Sequence, residues 1–242
     1  MQPRIEYKYL LTPAQARLVK SALLPHVYFD PFCLNFPDHK YPVSSIYFDS
    51  IDRLTFYEKL DGLQNRKKIR ARYYYSSKSN LCSLFLEWKH KIGNITYKDR
   101  TKLTLLQYHQ LSHQKFLAFM RNQSNFNKIS VLEIMKNKLL PMTHIYFKRE
   151  AFFAKNWPHL RINFDTQTQM KHNLNFSEFS SGVAILPSQI ILEVKFLGKI
   201  PQWLHAIIVL YGLTHIAFSK YCLAVSSYDK LMESSILPTN NF

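Results

Sequence analysis

Cationic side chains recur at every second position along several segments whose composition predicts β-strands. The clearest segment holds Lys68, Arg70 and Arg72, with Ile69 and Ala71 between them. Successive side chains of a strand point to opposite faces, so such a segment has one charged face and one apolar face. Guanidinium and ammonium groups in this arrangement are suited to bind phosphate oxygens. The residues on the charged faces are Arg4, Glu6, Lys8, Lys68, Arg70, Arg72, Glu87, Lys89, Lys91, Lys98, Arg100, Lys102, Arg149, Arg161, Asn163, Asp165, Glu193 and Lys195.

The sign of these faces predicts an anionic partner. The solvated face of an antiparallel sheet usually carries both signs of charge, because like charges directly opposite each other destabilise the sheet. Here the faces are mostly cationic. A barrel closed with these faces inward would form a tunnel that focuses the field on a polyanion. We therefore predict an α+β fold, an antiparallel β-barrel tunnel with helices packed outside.

Composition narrows the possible functions. The chain of 242 residues carries 32 Lys and Arg against 16 Asp and Glu, a formal net charge of +16. Its 47% hydrophobic and 15% aromatic residues supply a large core, which excludes a disordered chain. The charge permits nucleic acid, a membrane surface or a phosphate-rich small molecule as partner. Its five glycines form neither GxxxxGK nor GxGxxG, so side chains must hold any phosphate.

The order of predicted elements completes the fold expectation. Predicted strands cover residues 4–10, 44–49, 67–75, 84–91, 95–103, 142–153, 160–166 and 190–196. Predicted helices cover residues 13–24, 105–120, 127–139, 201–211 and about 219–232. Gly93 and Asn94 predict a tight hairpin turn. No linker is evident, so residues 1–242 are predicted to form a single domain.

Apolar runs are too short to predict a membrane span. The longest covers residues 206–213, far short of the ~20 residues that a spanning helix needs. We therefore expect a cytoplasmic protein, peripheral at a membrane at most, and a membrane-protein partner remains open. Three cysteines without a CxxC pair favour a reducing compartment.

Nucleic-acid binding is the weakest of the three partner classes. Tyr73, Tyr74 and Tyr75 could suggest stacking on bases. Consecutive strand residues alternate between faces, however, so the three rings cannot form one stacking platform.

Nine segments, taken in order, resemble a known family. They cover residues 4–10, 45–49, 68–73, 86–89, 97–100, 146–151, 161–166, 192–196 and 218–221. Together they are similar to the VTC domain, the polyphosphate-polymerase domain of the vacuolar transporter chaperone family, within the triphosphate tunnel (CYTH-like) superfamily. The resemblance implies transfer of the γ-phosphate of ATP to a growing polyphosphate chain, with ATP and inorganic polyphosphate or triphosphate as partners. The sequence does not indicate an oligomeric state.

The resemblance also assigns residues. The tunnel lining that holds the triphosphate would comprise Lys8, Arg70, Arg72, Lys89, Lys98, Arg149 and Arg161. Ser219 and Lys220 would hold phosphate at one tunnel mouth, near the start of the last helix, where anions are favoured. Glu193 would bind a divalent metal ion, Mn²⁺ or Mg²⁺, and Glu6 is a second candidate. Further phosphate-binding residues, predicted from the charged faces, are Lys68, Lys91, Arg100 and Lys195.

Departures from the family pattern keep alternatives open. Ala217 stands where a further basic residue is expected, and Phe147 stands in place of a Tyr. The N-terminal triplet is Arg4-x-Glu6-x-Lys8 rather than the Glu-x-Glu-x-Lys of tunnel hydrolases, which favours gripping a long anion. A triphosphatase of the same fold and a non-catalytic polyanion-binding module remain alternatives. We expect Arg70→Ala and Lys220→Ala to abolish synthesis while leaving the fold intact.

Overall fold

The computed structural model describes residues 5–75, 83–93, 95–114, 125–171, 174–176 and 182–236. Ten strands lie within these ranges. They are β1 (Ile5–Leu11), β2 (Val27–Phe29), β3 (Tyr41–Asp49), β4 (Arg66–Tyr74), β5 (Ser83–Ile92), β6 (Ile95–Leu103), β7 (Leu140–Ala154), β8 (Trp157–Lys171), β9 (Gly182–Ala184) and β10 (Ile190–Phe196). The eight predicted strands are all present. The short strands β2 and β9 were not predicted.

All ten strands belong to one curled antiparallel sheet. Its path is β1-β10-β8-β7-β3-β4-β5-β6, with β2 added to β7 and β9 added to β8. The two ends of this path, β1 and β6, are not paired with each other in the described part of the chain. Opposite walls meet instead through side chains, since Glu6 Oε2 of β1 lies 2.8 Å from Lys89 Nζ of β5. The predicted barrel is therefore a curled sheet joined across its gap by an ion pair.

Six helices accompany the sheet in the described residues. They are α1 (Pro13–Leu23), α2 (Leu54–Leu60), α3 (Leu105–Ser112), α4 (Asn125–Lys136), α5 (Gln202–Leu210) and α6 (Lys220–Ile236). The start of α1 is fixed as the sequence predicts, with Pro13 in the first turn and a capping box between Thr12 and Gln15. Helix α2 was not predicted. Of the helix predicted over 105–120, residues 115–120 lie outside the described ranges.

Apolar strand faces pack outward against four of the helices, as predicted. The outer face of β1, β10, β8 and β7 packs on α1 and α5, with Phe164 and Val194 among its buried residues. The outer face of β3, β4 and β5 packs on α3 and α4, with Leu86 and Trp88 among its buried residues. These two cores turn the charged faces of the same strands toward the concave side.

The last helix lies on the concave side instead of outside. Tyr221, Ala224 and Val225 of α6 join a buried cluster with Val43 of β3 and Ile145 of β7, both on the inner face. These inner positions are apolar and would face water without a cover. Helix α6 therefore covers part of the concave face and sets its own N-terminus among the cations there. No described helix is both long and apolar enough to span a bilayer.

Candidate functional site

Charged strand faces from both halves of the sheet meet on the concave side. Strand register places Lys8 opposite Glu193, Arg70 opposite Glu87, and Arg149 opposite Asp165. Nine cationic side chains lie in the inner part of this concave face: Lys8, Lys68, Arg70, Arg72, Lys89, Lys98, Arg149, Lys195 and Lys220. All nine are among the residues predicted from the sequence.

The centre of the face is a network of three cations and two carboxylates, in which both carboxylates are buried. Arg149 donates to both carboxylate oxygens of Asp165, from Nε at 2.6 Å and from Nη2 at 2.7 Å. The same Nη2 lies 3.2 Å from Glu193 Oε2. Lys220 Nζ bridges the two acids, 2.6 Å from Asp165 Oδ2 and 2.9 Å from Glu193 Oε1. Lys195 Nζ completes the set at 3.0 Å from Glu193 Oε2.

A second network lies on β4, β5 and β6. Glu87, which is 1% exposed, accepts from Arg70 Nε at 2.9 Å and Nη2 at 2.7 Å, and from Lys98 Nζ at 2.6 Å. Arg70 Nη1 donates to the Tyr47 hydroxyl at 3.0 Å. Arg72 donates to a neighbouring serine on β3 and lies 3.9 Å from Glu87 Oε2. The single carboxylate of Glu87 thus forms ion pairs with three cations.

A third network joins the two walls. Glu6 lies 3.3 Å from Lys8 Nζ through Oε1 and 2.8 Å from Lys89 Nζ through Oε2. Lys8 Nζ also donates to the Phe218 carbonyl oxygen at 3.0 Å, which ties β1 to the segment that precedes α6. Glu6 is therefore a structural partner of two predicted phosphate ligands, beyond its candidacy as a metal ligand.

Lys68 differs from the other cations of the face. Its ammonium group contacts Ser219 Oγ at 3.4 Å and Cys222 Sγ at 3.6 Å, and it forms no ion pair with a described carboxylate. Burial lowers the pKa of Lys68. Ser219 Oγ also accepts from the Cys222 backbone N–H at 3.4 Å and so caps α6. Ser219 and Lys220, which were predicted together, therefore have different roles. Ser219 caps α6, and Lys220 belongs to the central network.

Positive charge exceeds negative charge on this face. The four described carboxylates of the networks are Glu6, Glu87, Asp165 and Glu193, and each lies in ion pairs with at least two cations. Nine cations against these four acids leave an excess of five. An excess of this size, partly buried, calls for an anionic ligand.

The electrostatic environment holds the acids ionised and brings the pKa of one cation, Lys98, close to neutral pH. Although burial opposes ionisation, Lys195, Lys220 and Arg149 hold the pKa of Glu193 well below its usual range. Burial outweighs the attraction of Glu87 and lowers the pKa of Lys98 to about 8. Burial alone would raise the pKa of Tyr47, but Arg70 and Arg72 lower it to about 8. The charge on the face therefore changes just above neutral pH.

The aromatic ring of Phe147 lies among the cations of the concave face. Phe147, 1% exposed, lies beneath Lys220 at 4.9 Å, Arg149 at 5.1 Å and Arg72 at 5.9 Å, measured to the ring centroid. Cations favour the face of an aromatic ring. The Phe147 ring thus contacts three cations through its face, without offering a hydroxyl group.

The metal prediction depends on Glu193. Its two oxygens lie in ion pairs with Lys220, Arg149 and Lys195, and Asp165 is adjacent because it shares Lys220. Among the described residues no three His, Cys, Asp or Glu side chains could hold an ion by themselves. One or two carboxylates, with phosphate and water oxygens completing the shell, are a usual donor set for Mg²⁺, and these oxygens would have to leave their ion pairs to serve as ligands.

Three predicted residues lie toward the rim instead of inside the networks. Arg161 is exposed and stacks over the Phe153 ring at 4.4 Å, and Arg100 is exposed over the Phe85 ring at 4.4 Å. Lys91 lies at the end of β5 opposite Arg66. They share the inner face of their strands with the network residues but make none of the network's ion pairs.

Two site residues were not predicted. Asp165 was noted on a charged face without a role, and Tyr47 was not noted as a site residue at all. The signal for Tyr47 is its register position opposite Arg70, which the sequence does not reveal. The three consecutive tyrosines divide between faces as predicted, because Tyr73 packs with the outer cluster and Tyr74 packs with the inner one.

Comparison with known proteins agrees with this architecture. A "putative adenylate cyclase" from Bacillus halodurans has a similar fold, with TM-score 0.52, 10% sequence identity, and 90% of this chain and 94% of that chain covered. A "putative adenylate cyclase" from Vibrio parahaemolyticus matches with TM-score 0.49, 13% identity and coverage of 92% and 97%. The PH1819 protein from Pyrococcus horikoshii OT3 matches with TM-score 0.48, 11% identity and coverage of 93% and 99%. Of these three, the Bacillus halodurans protein alone has a TM-score above 0.5, and its 10% identity bears on the fold alone.

Sequence comparison is more specific. No curated protein matches the chain significantly. The family model of the VTC domain matches residues 3–228. That match includes every strand of the curled sheet and the N-terminal half of α6, from which Lys220 enters the concave face. The chain therefore belongs to the VTC domain family.

Proposed function

We propose that this protein is a polyphosphate polymerase, which transfers the γ-phosphate of ATP to the end of an inorganic polyphosphate chain. The observation that carries the proposal is an excess of five cations over carboxylates in the inner part of the concave face. Each of the four carboxylates there already pairs with at least two cations. Membership of the VTC domain family supports the same activity. A linear chain of phosphates is the ligand whose charge and shape fit such a lining.

The networks hold the cations in place before phosphate arrives. Arg70 and Arg149 are each fixed by two hydrogen bonds to a carboxylate, so little side-chain entropy remains to be lost on binding. Arg presents planar paired donors to phosphate oxygens, and Lys acts as a compact charge. Phosphoryl transfer needs mainly this positioning and charge stabilisation.

The reaction exchanges one phosphoanhydride bond for another. A terminal oxygen of the polyphosphate chain bonds to the γ-phosphorus of ATP, the bond between that phosphorus and the β–γ bridging oxygen breaks, and ADP leaves with the electron pair. The attacking oxygen is already anionic, so no general base is required. Lys220 and Arg149, at the centre of the face, are placed to stabilise charge on the transferred group.

A divalent ion is part of the proposal. Glu193, with Asp165 beside it, would hold Mn²⁺ or Mg²⁺, and the ion would neutralise charge on the reacting phosphates when bound. Arg149, Lys195 and Lys220, which pair with Glu193 when no metal ion is bound, would then be available to phosphate oxygens.

Incubation with ATP and Mn²⁺ or Mg²⁺, followed by a gel stained for polyphosphate, tests the activity. We expect long chains from the wild type and none from Arg70→Ala. Arg17→Ala removes an arginine from the exposed outer surface of α1 and should synthesise normally. Release of orthophosphate without chains would instead assign a triphosphatase, and binding without turnover would assign a non-catalytic module.

A further inference from the structure

The cations of β4 and β5 continue past the networks toward one end of the sheet. Lys68 lies opposite Lys89, which in turn lies opposite Lys98 on β6. One row farther out on the same inner face, Arg66 lies opposite Lys91. Strands rise about 3.3 Å per residue, so this outer row lies roughly 7 Å beyond the Lys68 row.

A third cation joins the outer row from another element. Lys59 lies in the last turn of α2, a helix that contacts β4, the strand of Arg66. Burial lowers the pKa of Lys91, and the charges of Arg66 and Lys59 lower it further. All three side chains are half-buried, and none forms an ion pair with a carboxylate in the described part of the chain. The carboxylate of Glu58 is near Arg66 and Lys68 but not within ion-pair distance of either.

This arrangement is unfavourable for the protein alone. Like charges directly opposite each other on a sheet repel, and partial burial weakens their screening by water. The other end of the same strands is different in character, because Tyr74 and Phe85 pack there with ring centroids 6.1 Å apart. The cations at that end, Arg100 and Lys102, are exposed, whereas Arg66 and Lys91 are half-buried. The half-buried part of the cationic lining therefore continues toward the surface at the Arg66 end.

We propose that Lys59, Arg66 and Lys91 form an outer phosphate site, the exit cluster, through which the polyphosphate chain leaves the concave face. The exit cluster extends the site by residues that the sequence reasoning did not single out, since only Lys91 was predicted to bind phosphate. The inference rests on the proposed function, which makes inorganic polyphosphate the ligand of the exit cluster. The chain passes from the Lys68 row to the exit cluster, and new phosphates are added on the inner side.

Binding without nucleotide or metal tests the exit cluster. Inorganic tripolyphosphate is short enough to occupy the inner networks alone, whereas long-chain polyphosphate of defined length also reaches the exit cluster. The wild type should bind the long chain more tightly. The triple variant Lys59→Gln, Arg66→Gln and Lys91→Gln should lose roughly tenfold in affinity for the long chain, with its tripolyphosphate affinity changed by less than about twofold.

Lys67→Gln is the matched control. It removes one positive charge from the residue next to Arg66, but that side chain is exposed on the opposite face and pairs with Glu133. It should bind both ligands as the wild type does, and thermal unfolding should show that all variants fold. Equal weakening for both ligands, or an unchanged long-chain affinity, would overturn the exit cluster alone. Failure of the wild type to bind either ligand would overturn the proposed function with it.

Discussion

Lys220 illustrates how a residue identified from a motif acquires a second role in the structure. It is 7% exposed and neutralises two buried carboxylates, Asp165 and Glu193. Removing one partner of a buried charge network leaves unpaired charge, which is strongly destabilising. The expectation that Lys220→Ala leaves the fold intact therefore has to be revised, because the ligand-free protein depends on this ammonium group. The same revision applies to Arg70→Ala, because Arg70 neutralises the buried Glu87.

We predict that Lys220→Met lowers the free energy of unfolding by about 3 kcal/mol at neutral pH, as well as abolishing synthesis. Lys230→Met, on the exposed side of the same helix, serves as the control and should change stability by less than about 0.5 kcal/mol. Urea unfolding measures both. A Lys220→Met protein as stable as the control would show that the buried carboxylates do not need this partner.

The two groups that titrate near pH 8 give a second prediction at the residue scale. As pH rises through about 8, Lys98 loses a positive charge and Tyr47 gains a negative one. Both changes disfavour an anion, so the affinity for tripolyphosphate should fall between about pH 7 and 9. Tyr47→Phe cannot ionise and should retain roughly threefold more of its affinity across that range than the wild type.

Calorimetric titration of wild type and Tyr47→Phe at matched pH values checks this. Comparison at each pH cancels the ionisation of the ligand itself. Tyr28→Phe, at a largely exposed ring, is the control and should follow the wild type. Identical pH profiles for Tyr47→Phe and wild type would show that the Tyr47 phenol stays neutral throughout.

At the element scale, the position of α6 depends on one buried acid. Asp49, at the end of β3, accepts from the backbone N–H groups of Thr55 and Phe56, at 2.8 and 3.1 Å, and from the Tyr221 hydroxyl. It therefore joins β3, the start of α2 and the first turn of α6. Arg53, just before α2, adds a second tie to α6 at Asp229, with its Nη1 2.7 Å from a carboxylate oxygen.

Tyr221→Phe should lower the free energy of unfolding by about 1–2 kcal/mol, because it removes a hydrogen bond to a buried carboxylate. Tyr228→Phe, on the same helix with a ring 43% exposed, should have little effect. Chemical denaturation of the two variants provides the comparison. Equal stabilities of the Tyr221→Phe and Tyr228→Phe variants would show that the hydrogen bond to Asp49 does not hold α6 in place.

The elements show where sequence reasoning succeeds and where it stops. Alternation of charged and apolar residues predicted the inner face of β4 correctly, because side-chain direction along a strand is set locally. Helix α6 is the exception to the predicted packing of helices outside the sheet, because it packs on the inner face. A helix with an apolar face can cover either side of a sheet, and only the long-range packing of Val225 against the inner residues of β3 and β7 decides which.

At the scale of the whole molecule, curling converts separate charged faces into one lining. Sequence alternation shows that each strand has a cationic face, but it does not show which carboxylate will neutralise which cation. Those pairings follow from strand register and from the approach of β1 to β5, where Glu6 meets Lys89 across the gap in the sheet. Asp165 acquired its role only through this long-range geometry, opposite Arg149.

The two ends of the concave face also differ from each other. One end of the concave face carries the half-buried exit cluster, and the other carries the packed rings of Tyr74 and Phe85 with the exposed Arg100 and Lys102. A polymerase needs such a difference, because the chain must leave while the next ATP arrives. A triphosphatase releases only small products and has no use for an extended cationic path.

Phosphorus NMR of a reaction containing the protein, ATP and Mn²⁺ or Mg²⁺ tests the central claim most directly. It distinguishes mid-chain phosphoanhydride phosphorus from orthophosphate and follows ADP in the same sample. We predict that mid-chain signal grows with time, with about one phosphate entering the chain for each ADP formed. Orthophosphate appearing in step with ADP, without mid-chain signal, would contradict a polymerase, and unchanged ATP would contradict an enzyme acting on it.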